Sequence, residues 1–328
     1  MESSSRRIVT RRKKSRAQVI ADSQQAHLGI ALGSGSARGW AHIGILRALE
    51  AEGIVPAIVC GTSIGALVGA AYAGNQLDAL EEWVLAMNWW EILRLMDPGL
   101  TALVEGERLM KTFAERVADV PIESLPKAFG AVATDLLSGR EVWFQQGSLM
   151  AAVRASIAMP GLFKPVFQDG RWLVDGGLVD PVPVSLCRAM GAERVIAVNL
   201  NGDIVGRQLR RRDWRDRASD LLGPLGSRLQ KALVNGLLGA RQRKTSEEVP
   251  GLFDVIAGSM YIMQDRITRS RLAGEPPDVV LAPRLAHLAL MDFDKGKEAI
   301  AAGMDCVKRN LPLLQDALNP GMDEAGTE

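Results

Sequence analysis

Short apolar runs followed by longer segments with helical spacing make up most of the chain after residue 27. Leu28–Leu32 is an apolar run that leads into a glycine-rich turn, and residues 39–52 then place apolar side chains three or four positions apart. Residues 55–60 and 64–73 repeat this order, with a second apolar run, a sharp turn and a segment of small apolar residues. Strands that alternate with helices in this way predict parallel strands joined by crossover helices.

The remaining periodic segments extend this architecture towards the C-terminus. They predict strands at residues 129–134, 141–144, 172–174 and 194–199, and helices at residues 77–87, 107–117, 149–158, 252–271 and 294–309. Asp292 stands where it would cap the last helix. The sequence therefore predicts one α/β domain over residues 27–320, a three-layer α/β/α fold with a central, mainly parallel sheet.

Two segments depart from this pattern by their charge. Seven of the eleven residues from Arg6 to Arg16 are Arg or Lys, so we expect residues 1–26 to form a disordered basic tail, either a solvated leader or a contact for anionic lipid. Residues 207–248 begin with an arginine-rich stretch and continue into a leucine stripe, which predicts a helical insert packed on its own domain or on a membrane. The stripe consists of Leu225, Leu229, Leu233 and Leu237. Residues 321–328 are expected to form a C-terminal tail.

Composition narrows the class of protein. Hydrophobic residues are 47% of the chain and charged residues 23%, as in an ordinary globular protein. A net charge of +1 and an aromatic content of 5% argue against a nucleic-acid partner. The three scattered cysteines predict reduced thiols, and no apolar run approaches the roughly 18 residues of a membrane span. We expect a cytoplasmic protein, with peripheral contact at the inner face of the membrane as a further expectation.

A serine between two glycines follows the second predicted strand. The segment Gly61-Thr62-Ser63-Ile64-Gly65 fits the Gly-x-Ser-x-Gly pattern, which places a nucleophilic serine on a tight turn between a strand and a helix. Gly61 and Gly65 leave room for a strained backbone, and the N-terminus of the next helix favours negative charge at the serine oxygen. Chance supplies this pattern in roughly a fifth of chains of this length, so a structural serine remains the alternative.

The base that would activate Ser63 is the next question, because a serine hydroxyl is a poor nucleophile until its proton is removed. The chain has three histidines, and none follows a predicted strand. His42 lies in a predicted helix, where we expect it to pack or to bond the backbone, while His27 and His287 lie near the edges of predicted elements. A histidine triad stays open as an alternative that the sequence does not support.

Asp175 is the better candidate base. It follows the predicted strand at residues 172–174 and precedes Gly176 and Gly177, which allow a sharp turn and a close approach to another segment. A carboxylate against the serine could accept its proton directly, and partial desolvation would raise its pKa from about 3.9 towards a more useful value. The alternative is an aspartate that bonds only its own turn.

A glycine-rich loop between the first strand and the first helix completes the candidate site. It lacks the third glycine of a dinucleotide-binding loop and the lysine of a P-loop. A run of backbone N–H groups at a helix N-terminus suits the oxyanion of an acyl-transfer intermediate, whereas a plain turn with a surface arginine is the alternative. The loop reads Gly33-Ser34-Gly35-Ser36-Ala37-Arg38-Gly39.

Together these motifs resemble the patatin-like phospholipase family, and particularly its bacterial members related to the neuropathy target esterase catalytic domain. The resemblance runs from Leu28 to about Leu200 and more loosely over the helices after Leu252. It rests on the glycine loop, the elbow at Ser63, the block from Ala155 to Phe163 and the Asp-Gly-Gly block at Asp175. The chain departs from the family at Ser34 and Ser36, which replace glycines, and at Asp180, which stands where members usually have asparagine.

The resemblance implies a Ser63–Asp175 dyad, an acyl-enzyme intermediate, and hydrolysis of acyl esters in phospholipids, lysophospholipids or neutral glycerides. It implies no cofactor and no metal. Within the glycine loop, the amides of Gly35 and Ser36 are the expected oxyanion donors, and Arg38 is expected to add positive charge or to anchor the loop. Two other functions stay open, a lipid acyltransferase that uses the same site and a regulatory protein that keeps only the fold.

Overall fold

An eight-stranded sheet forms the centre of the molecule. The computed structural model describes residues 27–88, 106–202 and 252–318, apart from the side chains of residues 252–257. The strands are β1 (Leu28–Leu32), β2 (Ile58–Thr62), β3 (Ala128–Asp135), β4 (Glu141–Phe144), β5 (Val166–Gln168), β6 (Arg171–Asp175), β7 (Arg194–Val198) and β8 (Val279–Leu281). They are ordered β5-β6-β3-β2-β1-β7-β8 across the sheet, and β4 also pairs with β3.

The central strands run parallel, as the sequence predicts. β1 lies between β2 and β7, β3 extends the sheet beyond β2, and β8 extends it beyond β7, all in parallel. Strands β4 and β6 run antiparallel to β3, and β5 runs antiparallel to β6. The sequence predicted β4 and β6 as strands but not their antiparallel direction, and it missed the short strands β5 and β8.

Helices cover both faces of the sheet. They are α1 (Ala41–Ala51), α2 (Ile64–Ala73), α3 (Leu77–Ala86), α4 (Glu107–Ala114), α5 (Leu149–Ser156), α6 (Val184–Ala189), α7 (Leu252–Gly274) and α8 (Gly296–Leu318). Successive side chains of β1 point to opposite faces, so Ile30 and Leu32 pack in the core beneath α1, α2, α5 and α8, whereas Ala31 packs in the core beneath α6. The fold is the predicted three-layer α/β/α arrangement.

The last helix begins differently from the prediction. Asp292 precedes a short 3-10 helix, Phe293–Lys295, and does not cap α8, which starts only at Gly296. Its carboxylate instead accepts a hydrogen bond from the amide of Ala289 at 3.0 Å. The predicted cap is therefore wrong, because the aspartate bonds the turn before it rather than the helix after it.

Several predicted features can be compared only in part. The basic tail at residues 1–26, the whole insert at residues 207–248 and the tail at residues 321–328 lie outside the described residues. The three cysteines are all described, and each is buried and free of a disulfide. Within the described ranges, no helix has both the length and the hydrophobicity of a transmembrane segment.

Candidate active site

Ser63 occupies the turn between β2 and α2. Its backbone has φ +58° and ψ −126°, a combination that costs energy for a residue with a side chain and that lifts the hydroxyl out of the strand. A Cβ atom at Gly61 would collide with the backbone of α2, and one at Gly65 would collide with the carbonyl group of Leu32. Glycines on both sides of Ser63 are therefore a steric requirement of the turn.

Ser156 holds this strained turn in place. Its hydroxyl accepts a hydrogen bond from the amide of Ser63 at 2.8 Å and donates one to the carbonyl oxygen of Val132 at 2.6 Å. The side chain thus joins the C-terminal end of α5 to the turn and to β3. Ser156 belongs to the third block of the sequence resemblance, but its contact with Ser63 could not be read from the sequence.

The hydroxyl of Ser63 meets Asp175 directly. Ser63 Oγ donates a hydrogen bond to Asp175 Oδ2 at 2.5 Å, and both residues are almost completely buried. Asp175 is the last residue of β6 and pairs with Ala133 of β3. Because β3 pairs in parallel with β2 and Thr62 lies opposite Val132, this register brings Asp175 to the level of Ser63. Sheet pairing therefore unites two residues that lie 112 positions apart in the chain.

The surroundings of Asp175 make it a better base than a solvated carboxylate. Burial raises the pKa of Asp175 to about 6, while hydrogen bonds from Ser63 and from the amide of Gly177 act in the opposite direction. Asp175 Oδ1 accepts the Gly177 bond at 2.7 Å. Gly176 packs so closely on the carbonyl group of Val132 that a side chain would not fit there. At neutral pH the carboxylate is ionised, yet its affinity for a proton exceeds that of a free aspartate.

The glycine loop lies against the Ser63 turn. A side chain at Gly39 would collide with Ile64, the residue after Ser63, and Gly65 packs on the carbonyl groups of Leu32 and Gly33. These contacts bring the backbone of the loop to the N-terminal end of α2. The predicted loop and the predicted nucleophile are thus neighbours in the structure.

The backbone amides of the loop differ in whether they have an acceptor. Those of Gly33, Ser34, Ala37 and Arg38 donate to carbonyl oxygens of Val198, Pro181, Leu290 and Gly35 in turn. Among the described residues, the amides of Gly35 and Ser36 make no such bond. Ser36 adopts φ +51°, so the serine that replaces glycine there holds a left-handed conformation. The two amides that the sequence analysis favoured as oxyanion donors are therefore the ones left for another acceptor.

Arg38 and His42 anchor the loop from within. Arg38 is fully buried, donates from Nε to the carbonyl oxygen of Gly35 at 3.3 Å and lies over the ring of Tyr261 at 4.4 Å. Burial lowers the pKa of His42 to about 4, despite its bond to the carbonyl oxygen of Gly33. The neutral ring therefore donates from Nε2 to that oxygen, at 2.8 Å. Both side chains serve the loop conformation, as expected for His42.

Gln264 of α7 is a site residue that the sequence analysis missed. Its Oε1 accepts hydrogen bonds from Ser34 Oγ at 3.2 Å and from Asn201 Nδ2 at 3.3 Å. A side chain at Gly177 would meet Gln264 Nε2 at 2.6 Å, so the same residue also packs on the Asp175 loop. Gln264 is buried on α7, and the sequence around it has no motif that could have marked it.

The other two histidines lie away from Ser63 and Asp175. His27 faces Glu193 at 3.9 Å, and His287 faces Glu298 at 3.9 Å, so neither ring is engaged with Ser63 or Asp175. Across the described residues, His, Cys, Asp and Glu form no group of three that could hold a metal ion. At the Ser63 turn, the side chain that contacts the serine hydroxyl is the carboxylate of Asp175.

Comparison with known proteins identifies the family of the chain. The model of the patatin-like phospholipase family matches residues 30–188, which contain the glycine loop, Ser63 and Asp175. An NTE family protein of Mycobacterium tuberculosis is 34% identical, over 87% of this chain and 91% of that protein. The chain belongs to the patatin-like phospholipase family.

Animal members of the patatin-like phospholipase family match a shorter part of the chain. The neuropathy target esterase sws of Drosophila melanogaster is 34% identical over 53% of this chain and 13% of its own length. A patatin-like phospholipase domain-containing protein of Caenorhabditis elegans is 36% identical over the same shares. As a patatin-like protein related to neuropathy target esterase, the chain falls among the lipid hydrolases.

Proposed function

We propose that the chain is a serine hydrolase of phospholipid or lysophospholipid acyl esters, with Ser63 as nucleophile and Asp175 as general base. The observation that carries this proposal is the 2.5 Å hydrogen bond from Ser63 Oγ to Asp175 Oδ2 at a strained strand-to-helix turn. The buried carboxylate, whose pKa is raised to about 6, supports it, because such a group both ionises at neutral pH and accepts a proton in the transition state.

The first half of the reaction forms an acyl-enzyme. Asp175 takes the proton of Ser63 while the serine oxygen attacks the ester carbonyl carbon, and the carbonyl oxygen becomes an oxyanion. The amides of Gly35 and Ser36 donate to this oxyanion, and the N-terminus of α2 adds a favourable dipole. Collapse of the intermediate breaks the bond to the alcohol, and Asp175 returns its proton to the departing oxygen.

The second half releases the acid. Water replaces the alcohol and gives a proton to Asp175 as its oxygen attacks the acyl carbon. The amides of Gly35 and Ser36 also donate to the second oxyanion. Collapse of this intermediate breaks the bond between Ser63 Oγ and the acyl carbon, frees the fatty acid and returns the proton from Asp175 to Ser63 Oγ. One ester and one water are consumed, and one acid and one alcohol are produced. An alcohol in place of water would make the same site an acyltransferase.

Covalent labelling tests the nucleophile. The full chain is treated with a fluorophosphonate, and the modified residue is mapped by mass spectrometry. We expect one adduct on Ser63, no adduct in Ser63→Ala, and normal labelling in Ser138→Ala, an exposed serine on a turn. Ser63→Ala should also lower the turnover of a short-chain ester by about 10⁴-fold or more.

The same preparation separates the alternatives. Labelled phospholipid is incubated with and without a lysolipid acceptor, and free acid is compared with acylated acceptor. Free acid as the main product in both cases supports a hydrolase, whereas acceptor-dependent product supports a transferase. Labelling of another residue, or full turnover in Ser63→Ala, would overturn the assignment of Ser63.

A further inference from the structure

Two hairpins beside the candidate active site expose large apolar side chains. The first joins β3 to β4 and presents Leu136 and Leu137, which are 50% and 82% exposed. The second joins β5 to β6 and presents Phe167 and Trp172, which are 61% and 46% exposed. We call these four residues the hairpin patch. Side chains of this size are usually covered, and their concentration in one place marks an interaction surface.

The four residues of the patch are neighbours. Phe167 and Trp172 are cross-strand partners in the β5–β6 pair, and their ring centroids lie 4.9 Å apart. The amide of Leu136 donates to the carbonyl oxygen of Trp172 at 2.8 Å, which joins the two hairpins. The patch is therefore one surface built from paired backbone and not a set of isolated residues.

Strand register places the patch at the same edge of the sheet as Ser63. β3 is parallel to β2, so the residues of β3 beyond Val132 extend past Thr62 in the direction of Ser63. Trp172 lies three positions before Asp175 on β6, which is about 10 Å at the rise of an antiparallel strand. The hairpin tips thus project beyond the dyad on its own side of the molecule.

We infer that the hairpin patch is the surface by which this protein docks on a phospholipid bilayer. Aromatic rings beside exposed leucines are the side chains that lie at the boundary between headgroups and acyl chains. Arg140 and Arg171, both exposed, stand at the two hairpin tips and suit the phosphate groups above that boundary.

The depth of docking agrees with the chemistry. Apolar faces of peripheral proteins enter the boundary by about 5–10 Å. Insertion of tips that project about 10 Å beyond Asp175 would bring the Ser63 turn to the level of the lipid ester groups. This inference rests on the proposed function for its purpose, but the docking itself depends on different residues.

The test measures binding and catalysis separately in the full chain. Leu137→Glu places a charge at the tip, and the double variant Phe167→Ala/Trp172→Ala removes both rings. Leu313→Glu is the matched control, since Leu313 is 50% exposed on α8, away from the hairpins. Binding is followed by co-sedimentation with vesicles of phosphatidylcholine alone or mixed with phosphatidylglycerol. Turnover is followed on a soluble short-chain ester and on the vesicle lipid.

We expect both patch variants to lose about tenfold or more of their vesicle binding and of their turnover on vesicle lipid. Their turnover of the soluble ester should stay within twofold of the parent, and Leu313→Glu should behave as the parent in every assay. In addition, brominated acyl chains should quench tryptophan fluorescence in the parent and less so in Trp172→Phe.

Two results would overturn the docking inference, and a third would contradict only the proposed function. Unchanged vesicle binding in both patch variants would overturn the inference. A shift from dimer to monomer by light scattering, with vesicle binding unchanged, would also overturn it and would assign the patch to contact between copies of the chain. Ser63→Ala should bind vesicles as the parent does. Patch-dependent binding without any hydrolysis would contradict the proposed function alone and would support the docking surface.

Discussion

Asp175 accepts a hydrogen bond directly from the hydroxyl of Ser63, with no histidine ring between the two side chains. Its second carboxylate oxygen accepts a hydrogen bond from the amide of Gly177. The two hydrogen bonds, at 2.5 Å and 2.7 Å, fix the orientation of the carboxylate towards the serine hydroxyl. In a histidine triad the aspartate acts through an imidazole, whereas here the carboxylate itself is within reach of the proton. The pH dependence of the reaction should therefore belong to Asp175.

The first prediction concerns that pH dependence. The base must be ionised in the free enzyme, so kcat/KM should rise with pH through a midpoint near 6 and then reach a plateau. Asp175→Asn keeps the shape of the side chain but cannot accept the proton, and turnover should fall by about 10²–10⁴-fold. Initial rates between pH 4.5 and pH 9 measure both effects. A variant that keeps wild-type turnover would exclude Asp175 as the base.

The second prediction concerns His42. His42→Phe removes the donor to the carbonyl oxygen of Gly33 and leaves a buried acceptor unsatisfied, which should cost about 1–3 kcal/mol of stability and lower kcat. The midpoint of the pH–rate profile should stay near 6, because His42 positions the loop and does not exchange a proton. Denaturant unfolding and pH profiles check this, with His42→Gln as the variant that keeps a donor. A shifted midpoint in folded His42→Gln would instead favour a histidine base.

Only part of the candidate site could be predicted from the sequence. Motif spacing located Ser63, Asp175 and the glycine loop because each lies on a turn whose glycines are visible in the sequence. The contacts that hold these turns could not be predicted, since Ser156 bonds Ser63 across 93 positions and Gln264 bonds Ser34 across 230 positions. Long-range bonds of this kind carry no periodicity and no local signature.

The sheet shows the same division between local and long-range information. β1 was predicted with its observed bounds, because a polar tail before the apolar run and a glycine-rich turn after it mark both ends of the strand. β5 and β8 were missed, since three-residue strands are too short to display alternation. The antiparallel pairing of β6 with β3 was missed as well, although it is what brings Asp175 to Ser63.

The third prediction concerns Gln264. Gln264→Met keeps most of the volume but leaves Ser34 Oγ and Asn201 Nδ2 without their shared acceptor. We expect a loss of about 1–3 kcal/mol in stability and a lower kcat at nearly unchanged KM, because the loop proposed to hold the oxyanion loses one of its fixed contacts. Ile262→Met, an exposed change on the same helix, is the control. Equal kinetics in the two variants would show that Gln264 has no role in positioning the loop.

The fourth prediction concerns the basic tail. Each Lys or Arg near an anionic bilayer contributes about 1 kcal/mol, and salt screens the attraction. Removal of residues 1–26 should therefore remove most of the difference in binding between anionic and neutral vesicles at low salt, while the hairpin patch and the neighbouring Arg140 and Arg171 keep their own share of the binding. Co-sedimentation in low and high salt measures this. If the truncated chain keeps its full preference for anionic vesicles, the tail is a solvated leader.

The fifth prediction concerns Asp180, the buried acid that replaces asparagine. Burial, and next the negative charge of Glu275, raise the pKa of Asp180 to about 8, against a weaker effect of a backbone bond from Val182. Arg271 Nε lies 3.9 Å from its Oδ1, but that group donates to the carbonyl oxygen of Val179 at 2.9 Å, and Nη2 bonds Glu141. The side chain is therefore mostly protonated, and so uncharged, at pH 7, as an asparagine would be.

A pKa raised by folding has a defined effect on stability. Between the ordinary aspartate pKa near 4 and the folded value near 8, the native state holds a proton that the unfolded state has lost, so this residue makes stability fall as pH rises through that window. Asp180→Asn removes the proton exchange. The variant should match the parent below pH 4 and exceed its unfolding free energy by about 2 kcal/mol or more at pH 8. Because the Thr62 hydroxyl donates to the backbone carbonyl oxygen of Asp180, at 2.8 Å, the substitution should leave the Ser63 turn and the turnover intact. Urea unfolding at pH 4, 6 and 8 gives the comparison, and a stability difference that stays constant across these values would show that Asp180 is ionised in the folded protein.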